Sequence, residues 1–308
     1  MTPRPPRVTV LRPAALACLL ALAAQAAAQS KPAAGALGAK VRELVAASGA
    51  EAVAVAFRDL ETGRGLMLNG RVSFHAASTM KVPVMLEVYR QAREGRLRLD
   101  ERLAVKNEFK SIADGSAFSV SPEDDSEPTL YKKVGGAETV RELVRLMVTE
   151  SSNLATNILI ERVTAARVTG LCRRLGARDI RVLRGVEDGK AFARGLNNTT
   201  TARDLLVLLR AVAEGRAVSP EASREVADVL AAQKFNEGIP AGLPAGTRVA
   251  HKTGSITAVE HDAGIVYPRG RRPYVLVVLV RGIREPARAH RLIADISRAV
   301  YEDATRGR

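Results

Sequence analysis

The sequence of 308 residues has two cysteines and no tryptophan. It is therefore poor in the thiol groups that build disulfides and cysteine-bound metal sites. Cys18 lies inside an N-terminal apolar run, so Cys172 is the one cysteine of the remaining chain. A single cysteine excludes an internal disulfide and a cysteine-built zinc site. Because Cys172 stands between Leu171 and Leu175 in a helical pattern, we predict that it packs in the core.

Histidine and aromatic residues are scarce too. The four histidines do not form the clustered spacing of zinc ligands, so we expect neither a metal nor another cofactor. We expect His251 and His261 to pack or to form hydrogen bonds rather than to act as bases. The net charge is +14, but it is thinly spread and only 4% of the residues are aromatic, so no nucleic-acid partner is predicted.

Long hydrophobic runs are missing after the N-terminus. Arg4, Arg7 and Arg12 precede an apolar run over residues 14–24, and small residues follow it. This pattern predicts a signal peptide over residues 1–28 and therefore a secreted or periplasmic protein. The run is too short to span a bilayer, and no later segment approaches that length, so no stable membrane anchor is expected.

Strands are predicted at both ends of the remaining chain, with helices between them. We therefore expect an α+β fold, with an antiparallel sheet built from both chain ends, flanking helices and an inserted all-helical lobe. The predicted strands cover residues 52–57, 248–255, 262–267 and 274–282, with another near Leu66, and helices are predicted over 38–47, from Ser78 to Gly95, from Val140, from Asn153, from Thr201 and over 287–302.

Residues 29–308 are predicted to form one catalytic domain. Its α/β lobe comprises about 35–80 and 240–305, and its helical lobe about 81–239. Residues 107–136 are rich in Ser, Asp, Glu, Pro and Gly, which favours a mobile surface loop.

The stretch Ser78-Thr79-Met80-Lys81 carries the first candidate chemistry. A serine hydroxyl is a weak nucleophile at neutral pH, and a lysine three residues along a helix lies on the same face, where it can act as a base. As a lone motif, Ser78 is equally well explained as a helix N-cap with a solvated lysine.

Two further polar motifs follow. Ser151-Ser152-Asn153 falls in an interhelix joint, where short polar residues can face a cleft or only cap a turn. Lys252-Thr253-Gly254-Ser255 falls on a predicted strand, where the glycine permits close approach and the cation and hydroxyls can bind a carboxylate. Its plain structural interpretation is an exposed edge strand.

Taken in order, the three motifs resemble those of the class A serine β-lactamases, members of the penicillin-recognising serine hydrolase superfamily. The resemblance covers nearly the whole chain after the signal peptide, and it is supported by Asn157, by the threonine run 199–201 and by residues 261–266. It implies a β-lactamase/transpeptidase-like fold. Ser152 departs from the family, which usually has aspartate at this position.

The resemblance implies a role for each matching residue. Ser78 would attack the carbonyl carbon, Lys81 would move its proton, and Ser151 would relay a proton to the leaving nitrogen. Lys252 would support the electrostatics around Ser151, and the backbone N–H groups of Ser78 and Ser255 would form the oxyanion hole.

Substrate binding is implied for three side chains of these motifs. Asn153 would hold the side-chain amide of the substrate, and Thr253 and Ser255 would bind its carboxylate. The sequence does not place the arginine that the family also uses for this carboxylate, nor does it define the range of β-lactam substrates.

Deacylation in the family needs a glutamate on a loop, and the resemblance indicates Glu187 for this role. One extra residue separates Arg184 from Glu187, Ala191 replaces an expected asparagine, and Asn198 replaces the aspartate that closes the loop. These departures put the salt bridge at the neck of the loop in question. Asp188 is the alternative carboxylate, and both residues could instead be solvated loop charges.

The sequence thus predicts an exported serine β-lactamase that acts as a monomer on small β-lactams. The alternative is a penicillin-interactive D,D-peptidase or esterase that deacylates slowly and acts on peptidoglycan-derived peptides. A third possibility is a non-enzymatic envelope sensor, whose partner surface would be the acidic stretch 122–128. For Lys81 to act as a base its amine must be neutral, which burial beside Lys252 would favour.

Overall fold

A computed structural model describes residues 35–306, and the predicted signal peptide lies outside the described residues. The strands of the described part are β1 (Ala52–Asp59), β2 (Gly65–Leu68), β3 (Phe74–His75), β4 (Arg102–Ala104), β5 (Phe109–Lys110), β6 (Ala117–Phe118), β7 (Ala137–Thr139), β8 (Thr199–Thr200), β9 (Arg248–Ile256), β10 (Val259–Tyr267) and β11 (Tyr274–Arg281). The α-helices are α1 (Ala36–Ala47), α2 (Lys81–Arg93), α3 (Val140–Thr149), α4 (Asn153–Val163), α5 (Ala165–Arg174), α6 (Gly189–Ala193), α7 (Ala202–Ala213), α8 (Pro220–Ala231) and α9 (Pro286–Thr305).

The main sheet has five antiparallel strands in the order β2-β1-β11-β10-β9. Strands from opposite ends of the chain pair at its centre, with Ala52 opposite Arg281 and Asp59 opposite Tyr274. This arrangement confirms the predicted α+β fold with a sheet from both chain ends. The lobe boundaries given above stay a prediction.

The sheet separates two apolar cores because successive side chains of a strand point to opposite faces. In β11, the odd-numbered residues from 275 to 279 pack in the larger core with the helices of the middle of the chain. The even-numbered residues from 274 to 280 pack in the smaller core with α1 and α9. The central strand is therefore apolar along nearly its whole length, as a strand covered on both faces must be.

Helix α2 lies in the middle of the helical region, in contact with α3, α4, α5 and α8. Ten of its thirteen residues are buried, including Lys81 at its first position. Cys172 in α5 is fully buried, which confirms the predicted packing role. A lysine at the start of so buried a helix is surrounded by protein rather than by water.

The segment 107–136, between β4 and β7, is not a simple surface loop. It contains the pair β5 and β6 and two 3₁₀ turns, and β4 pairs with β7 across it. Asp125 and Glu127 are buried within it. These carboxylates accept backbone N–H groups within the segment. Its mobility stays a prediction.

No helix within residues 35–306 combines the length and the apolar character needed to cross a membrane.

We expect Leu279→Ala to lower the free energy of unfolding by about 2–5 kcal/mol, because it leaves a cavity at a fully buried position of the central strand. Urea denaturation followed by circular dichroism measures this. The control is Met67→Ala on the edge strand β2, where the side chain is 50% exposed, and its effect should stay within about 0.5 kcal/mol. Equal effects of the two substitutions would contradict the assignment of β11 to the core.

Candidate active site

Ser78 lies in a 3₁₀ turn, Ala77–Met80, that leads directly into α2. Ser78 and Lys81 are one turn apart, as the spacing predicts. Ala77 has a left-handed backbone with φ 45°, which is costly for a residue other than glycine. The turn is held by hydrogen bonds from the Ala77 N–H to His75 Nδ1 and from the Thr79 hydroxyl to the Ala76 carbonyl. Such strain is maintained only where the surroundings determine the conformation.

The Lys81 amine is fully buried and surrounded by acceptors. Its Nζ donates to the Ser151 carbonyl at 2.5 Å, to Ser151 Oγ at 3.2 Å and to Asn153 Oδ1 at 3.0 Å. Burial lowers the pKa of Lys81 to about 7, although Asp125 and Glu187 favour the charged form. A substantial share of the amine is therefore neutral near neutral pH and can accept a proton.

Lys252 on β9 contacts the same hydroxyl from a different segment of the chain. Its Nζ donates to Ser151 Oγ at 3.1 Å and to the Thr253 carbonyl at 3.1 Å. Burial, and then the charge of Lys81, hold the pKa of Lys252 well below its usual range, against the opposing effect of Asp262. Ser151 Oγ is thus shared by two buried lysines, and it links the second and third motifs to Lys81.

Strand β9 is the edge strand of the sheet, and it contacts the turn that carries Ser78. A Cβ on Gly254 would lie 3.1 Å from the backbone nitrogens of Ser78 and Thr79. A side chain here would press on the Ser78 turn, so the close approach favours glycine. Thr253 is half-buried next to it and lies opposite Asp262 in the register of β9 and β10.

Asn153 and the start of α4 are held by a residue that the motifs do not include. The carboxylate of buried Asp125 accepts the backbone N–H groups of Asn153 at 2.8 Å and Leu154 at 2.9 Å, together with the Tyr131 hydroxyl at 2.9 Å. A carboxylate at a helix N-terminus satisfies free N–H groups and opposes the positive end of the helix dipole. Asp125 is 28 residues from Asn153, so no local pattern indicates this contact.

Glu187 faces Asn153 across the cleft, where Asn153 Nδ2 donates to Glu187 Oε1 at 3.3 Å. Glu187 has a left-handed backbone with φ 60°. The residue as a whole is exposed, yet burial of its carboxyl group, together with the charge of Asp124, raises its pKa despite Lys81 and Arg184.

Glu187 is positioned through the residue before it. The Asn157 side chain accepts the Val186 N–H at 2.7 Å and donates to the Val186 carbonyl at 3.0 Å. A Cβ on Gly185 would lie 2.1 Å from Asn157 Oδ1, so only glycine fits beside this amide.

The neck of the Glu187 loop is closed by the Asn198 amide and the Arg184 guanidinium, without a carboxylate between them. Asn198 Oδ1 accepts the N–H groups of Leu183 and Arg184, and its Nδ2 donates to the Arg184 carbonyl. The Arg184 guanidinium donates to the carbonyl of Leu196 and to the side chain of Asn197. The amide of Asn198 therefore closes the loop without a charge.

Asp188 faces away from Ser151, because its carboxylate accepts the Ser111 hydroxyl and the N–H groups of Ile112 and Ala191. Burial opposes its ionisation, but these hydrogen bonds outweigh burial and lower its pKa. Asp188 acts structurally, as the N-cap of α6.

Ser255 is exposed on the same strand, but its hydroxyl has an internal partner. Ser255 Oγ donates to Glu260 Oε1 at 2.7 Å, and Glu260 Oε2 lies 3.2 Å from His290 Nε2. Glu260 on β10 stands directly opposite Ser255 in the sheet register. This acidic neighbour belongs to none of the three motifs.

The other histidines have structural partners. His251 Nδ1 lies 2.9 Å from Asp262, and the ring of His261 bonds to the backbone of Glu260, His75 and Val280. This confirms their predicted hydrogen-bonding role. Among the described residues, no group of three or more histidine, cysteine or acidic side chains is arranged to hold a metal ion.

The model of the beta-lactamase enzyme family matches residues 36–304 of the chain. The chain belongs to this family. The β-lactamase of Streptomyces albus G is 28% identical over 261 residues, which cover 83% of this chain and 81% of that protein.

Solved structures agree with the family. A mutant of the class A β-lactamase of the last common ancestor of Gram-negative bacteria is 30% identical with a TM-score of 0.76, covering 88% of this chain and 100% of that one. A mutant of PBP-A, solved as an acyl-enzyme complex with penicillin G, is 30% identical with a TM-score of 0.74, covering 87% and 95%. The resemblance to class A β-lactamases that the motifs indicated is confirmed. Membership of the family supports β-lactam hydrolysis as the type of activity.

In this β-lactamase-family chain, the missing aspartate at Ser152 is compensated. Ser152 Oγ caps α4 by accepting the Ala155 N–H at 3.2 Å, and Asp125 supplies the negative charge from a different segment, 3.4 Å from Ser152 Oγ. The carboxylate is therefore present at the helix start although it is absent from the motif.

We expect Asp125→Ala to lower the free energy of unfolding by about 1–3 kcal/mol, since it leaves buried N–H groups at the start of α4 without an acceptor. Chemical denaturation measures the loss. Its neighbour Asp124→Ala, at an exposed position, is the matched control and should change stability little. If both variants are as stable as the parent protein, the cap does not support the helix.

Proposed function

We propose that this chain hydrolyses β-lactams through an acyl-enzyme on Ser78. The observation that carries the proposal is the Ser151 hydroxyl, which is 3.2 Å from the Lys81 amine and 3.1 Å from the Lys252 amine. A hydroxyl between two buried amines, one of which lies one turn from Ser78, is a route for protons rather than a requirement of the fold. Family membership points to the same type of reaction.

Acylation begins with attack of Ser78 Oγ on the lactam carbonyl carbon. Lys81 takes the Ser78 proton, which requires the neutral amine that burial favours. The proton then passes through Ser151 Oγ to the lactam nitrogen as the C–N bond breaks. Lys252 stabilises the negative charge that develops around Ser151 during this transfer.

The backbone N–H groups of Ser78 and Ser255 form the proposed oxyanion hole. Two features support this assignment: the close approach of β9 to the Ser78 turn at Gly254, and the position of β9 at the sheet edge, where alternate N–H groups are not used by the ladder. Preorganised N–H groups lower the barrier most where the oxyanion forms. Asn153 and Thr253 line the same cleft and are proposed to bind the side-chain amide and the polar groups of the substrate.

Deacylation uses Glu187 to activate a water molecule. Support comes from its hydrogen bond with Asn153, which itself contacts Lys81, and from its raised pKa, which makes the carboxylate a better base. Asp188 is unsuited to this role because its oxygens are committed to other partners.

The alternative, a D,D-peptidase or esterase of the cell envelope, shares Ser78 and the acylation step but lacks rapid deacylation. The placement of Glu187 against Asn153 favours hydrolysis over a long-lived acyl-enzyme. A non-enzymatic sensor is less well supported, because two acidic residues of its proposed partner surface, Asp125 and Glu127, are buried.

Intact-protein mass spectrometry after mixing with a chromogenic cephalosporin tests the proposal. The wild type should form a transient adduct and turn the substrate over, Glu187→Gln should accumulate the adduct, and Ser78→Ala should form none. Glu123→Gln, an exposed glutamate in the neighbouring turn, is the control and should behave as wild type. An adduct on the wild type that persists for hours would establish the slow alternative instead, and a folded wild type that forms no adduct would refute both.

Acylation should depend on the protonation state of Lys81. Because its folded pKa is lowered to about 7, the amine is protonated and inactive below that pH and neutral above it, so the acylation rate should rise through pH 7 and then level off. Stopped-flow acylation rates in Glu187→Gln measure this step alone. The midpoint of the pH profile of Glu187→Gln should lie slightly below that of the wild type, since the Glu187 charge favours protonated Lys81.

The control for the pH profile is Lys106→Met, which removes an exposed lysine and should leave the midpoint unchanged. A flat profile in Glu187→Gln would contradict Lys81 as the acylation base, and a loss of acylation in this variant would indicate Glu187 instead.

A further inference from the structure

We propose that the outer edge of β2 binds an extended acidic polypeptide segment as an added strand of the main sheet. Arg42 of α1 and Arg58 of β1 pair with the carboxylates of this segment. The surface lies away from the active site, because β2 and the strand β9, which carries Lys252, are the two opposite edges of the sheet. The proposal therefore does not depend on the proposed function.

The first observation is the free backbone of β2. The Asp59 N–H donates to the Arg64 carbonyl at 2.9 Å, and bonded and non-bonded residue pairs alternate along an antiparallel ladder. The N–H and C=O groups of Gly65 and Met67 therefore point away from β1. Both residues are exposed, and within residues 35–306 no other strand pairs with β2 on this side. These backbone groups are open to an added strand.

The second observation is a groove along this edge, lined by β2, by the start of α1 and by Leu206 and Arg210 of α7. We call it the β2 groove, and its volume is about 780 Å³. The two helices lie on opposite faces of the sheet, since Val41 of α1 packs in the smaller core and Leu206 packs in the larger one. The β2 groove therefore has room for side chains on both faces of an added strand.

The third observation is the charge of the β2 groove. Its charged lining residues are four arginines and one acidic residue: Arg42, Arg58, Arg64, Arg210 and Asp303. Asp303 pairs with Arg64. Arg210 pairs with Glu214. In the described part of the chain, no acidic side chain forms an ion pair with Arg42 or Arg58, so two guanidinium groups are available to a ligand.

The two available arginines lie on opposite faces of the sheet. Arg58 follows Ala56 at a spacing of two residues along β1, which places it on the same face as α7. On the other face, a Cβ on Gly38 would lie 3.4 Å from Arg42 Nη1 and 3.6 Å from Leu66 Cδ1, so the Arg42 guanidinium lies near β2. Successive side chains of a strand alternate between faces, so two adjacent acidic residues of an added strand reach one arginine each.

The charge of the β2 groove favours an acidic partner over the other occupants. A second copy of the chain joined at β2 would bring the arginines of both copies together, and like charges oppose association. The chain's own residues 29–34 precede the groove in sequence, but they include Lys31 and no acidic residue. Neither of these occupants neutralises Arg42 and Arg58.

Fluorescence anisotropy with three labelled peptides tests the proposal on the purified protein. The probe has the sequence Val-Glu-Glu-Val-Glu-Glu-Val and should bind saturably. The same peptide N-methylated at its three central residues keeps every charge but loses backbone donors, and the peptide with lysine in place of glutamate reverses the charge. Neither of these two should bind.

Two kinds of variant separate the charge from the backbone. Arg42→Gln and Arg58→Gln should each weaken probe binding by about threefold, and Arg224→Gln, which removes an exposed arginine of α8, should have no effect. Met67→Pro removes an outward N–H without breaking the β1 ladder and should weaken binding by about fivefold. Its matched control, Met67→Ala, keeps the N–H and should bind as the wild type does. Circular dichroism verifies that each variant is folded.

Three results would overturn the proposal, and each leaves the proposed function intact. Equal binding of the probe and its N-methylated form would show attraction by charge alone, and no binding of either would leave the β2 groove without this partner. A dimer in sedimentation analysis that Met67→Pro dissociates would assign the edge to a second copy. Binding only to a chain that begins at Gly35 would assign the groove to residues 29–34.

Discussion

The proposed chemistry depends on the burial of two lysine amines around one hydroxyl. Removing an ammonium group from water is costly, and placing two of them at Ser151 Oγ adds repulsion. Two features reduce this cost. Burial lowers the pKa of each amine, and oxygen atoms of the backbone and of Asn153 accept hydrogen bonds from Lys81. Burial that would be a defect in a purely structural site thus produces the neutral amine that a serine nucleophile requires.

This arrangement needs a backbone that regular secondary structure does not provide. Ala77, Ser151 and Glu187 all have left-handed backbone conformations, and each belongs to a different segment of the cleft. Their strain is held by rigid neighbours: the buried helix α2, the Asp125 carboxylate at the start of α4, and the Asn157 side chain beside Glu187. The order of the cleft therefore comes from contacts between segments, which makes its residues sensitive to changes outside the motifs.

Where the chain departs from the family pattern, the structure supplies a substitute of different chemistry. Asp125 brings from another segment the charge that Ser152 lacks, and Asn198 closes the Glu187 loop by neutral hydrogen bonds. A neutral closure responds less to pH and salt than an ion pair does.

The sequence by itself determined the main elements and the motifs: short apolar runs predicted the strands, helical spacing put Ser78 and Lys81 one turn apart, and three ordered motifs indicated the family. These signals are local, because they depend on backbone periodicity and on neighbouring residues. Only the tertiary structure decided that Lys252 meets Ser151 and that Asp125 caps α4. Solvent exclusion and hydrogen-bond geometry depend on segments that are far apart in the sequence but in contact in the fold. Residue spacing along the chain does not indicate which of these segments meet.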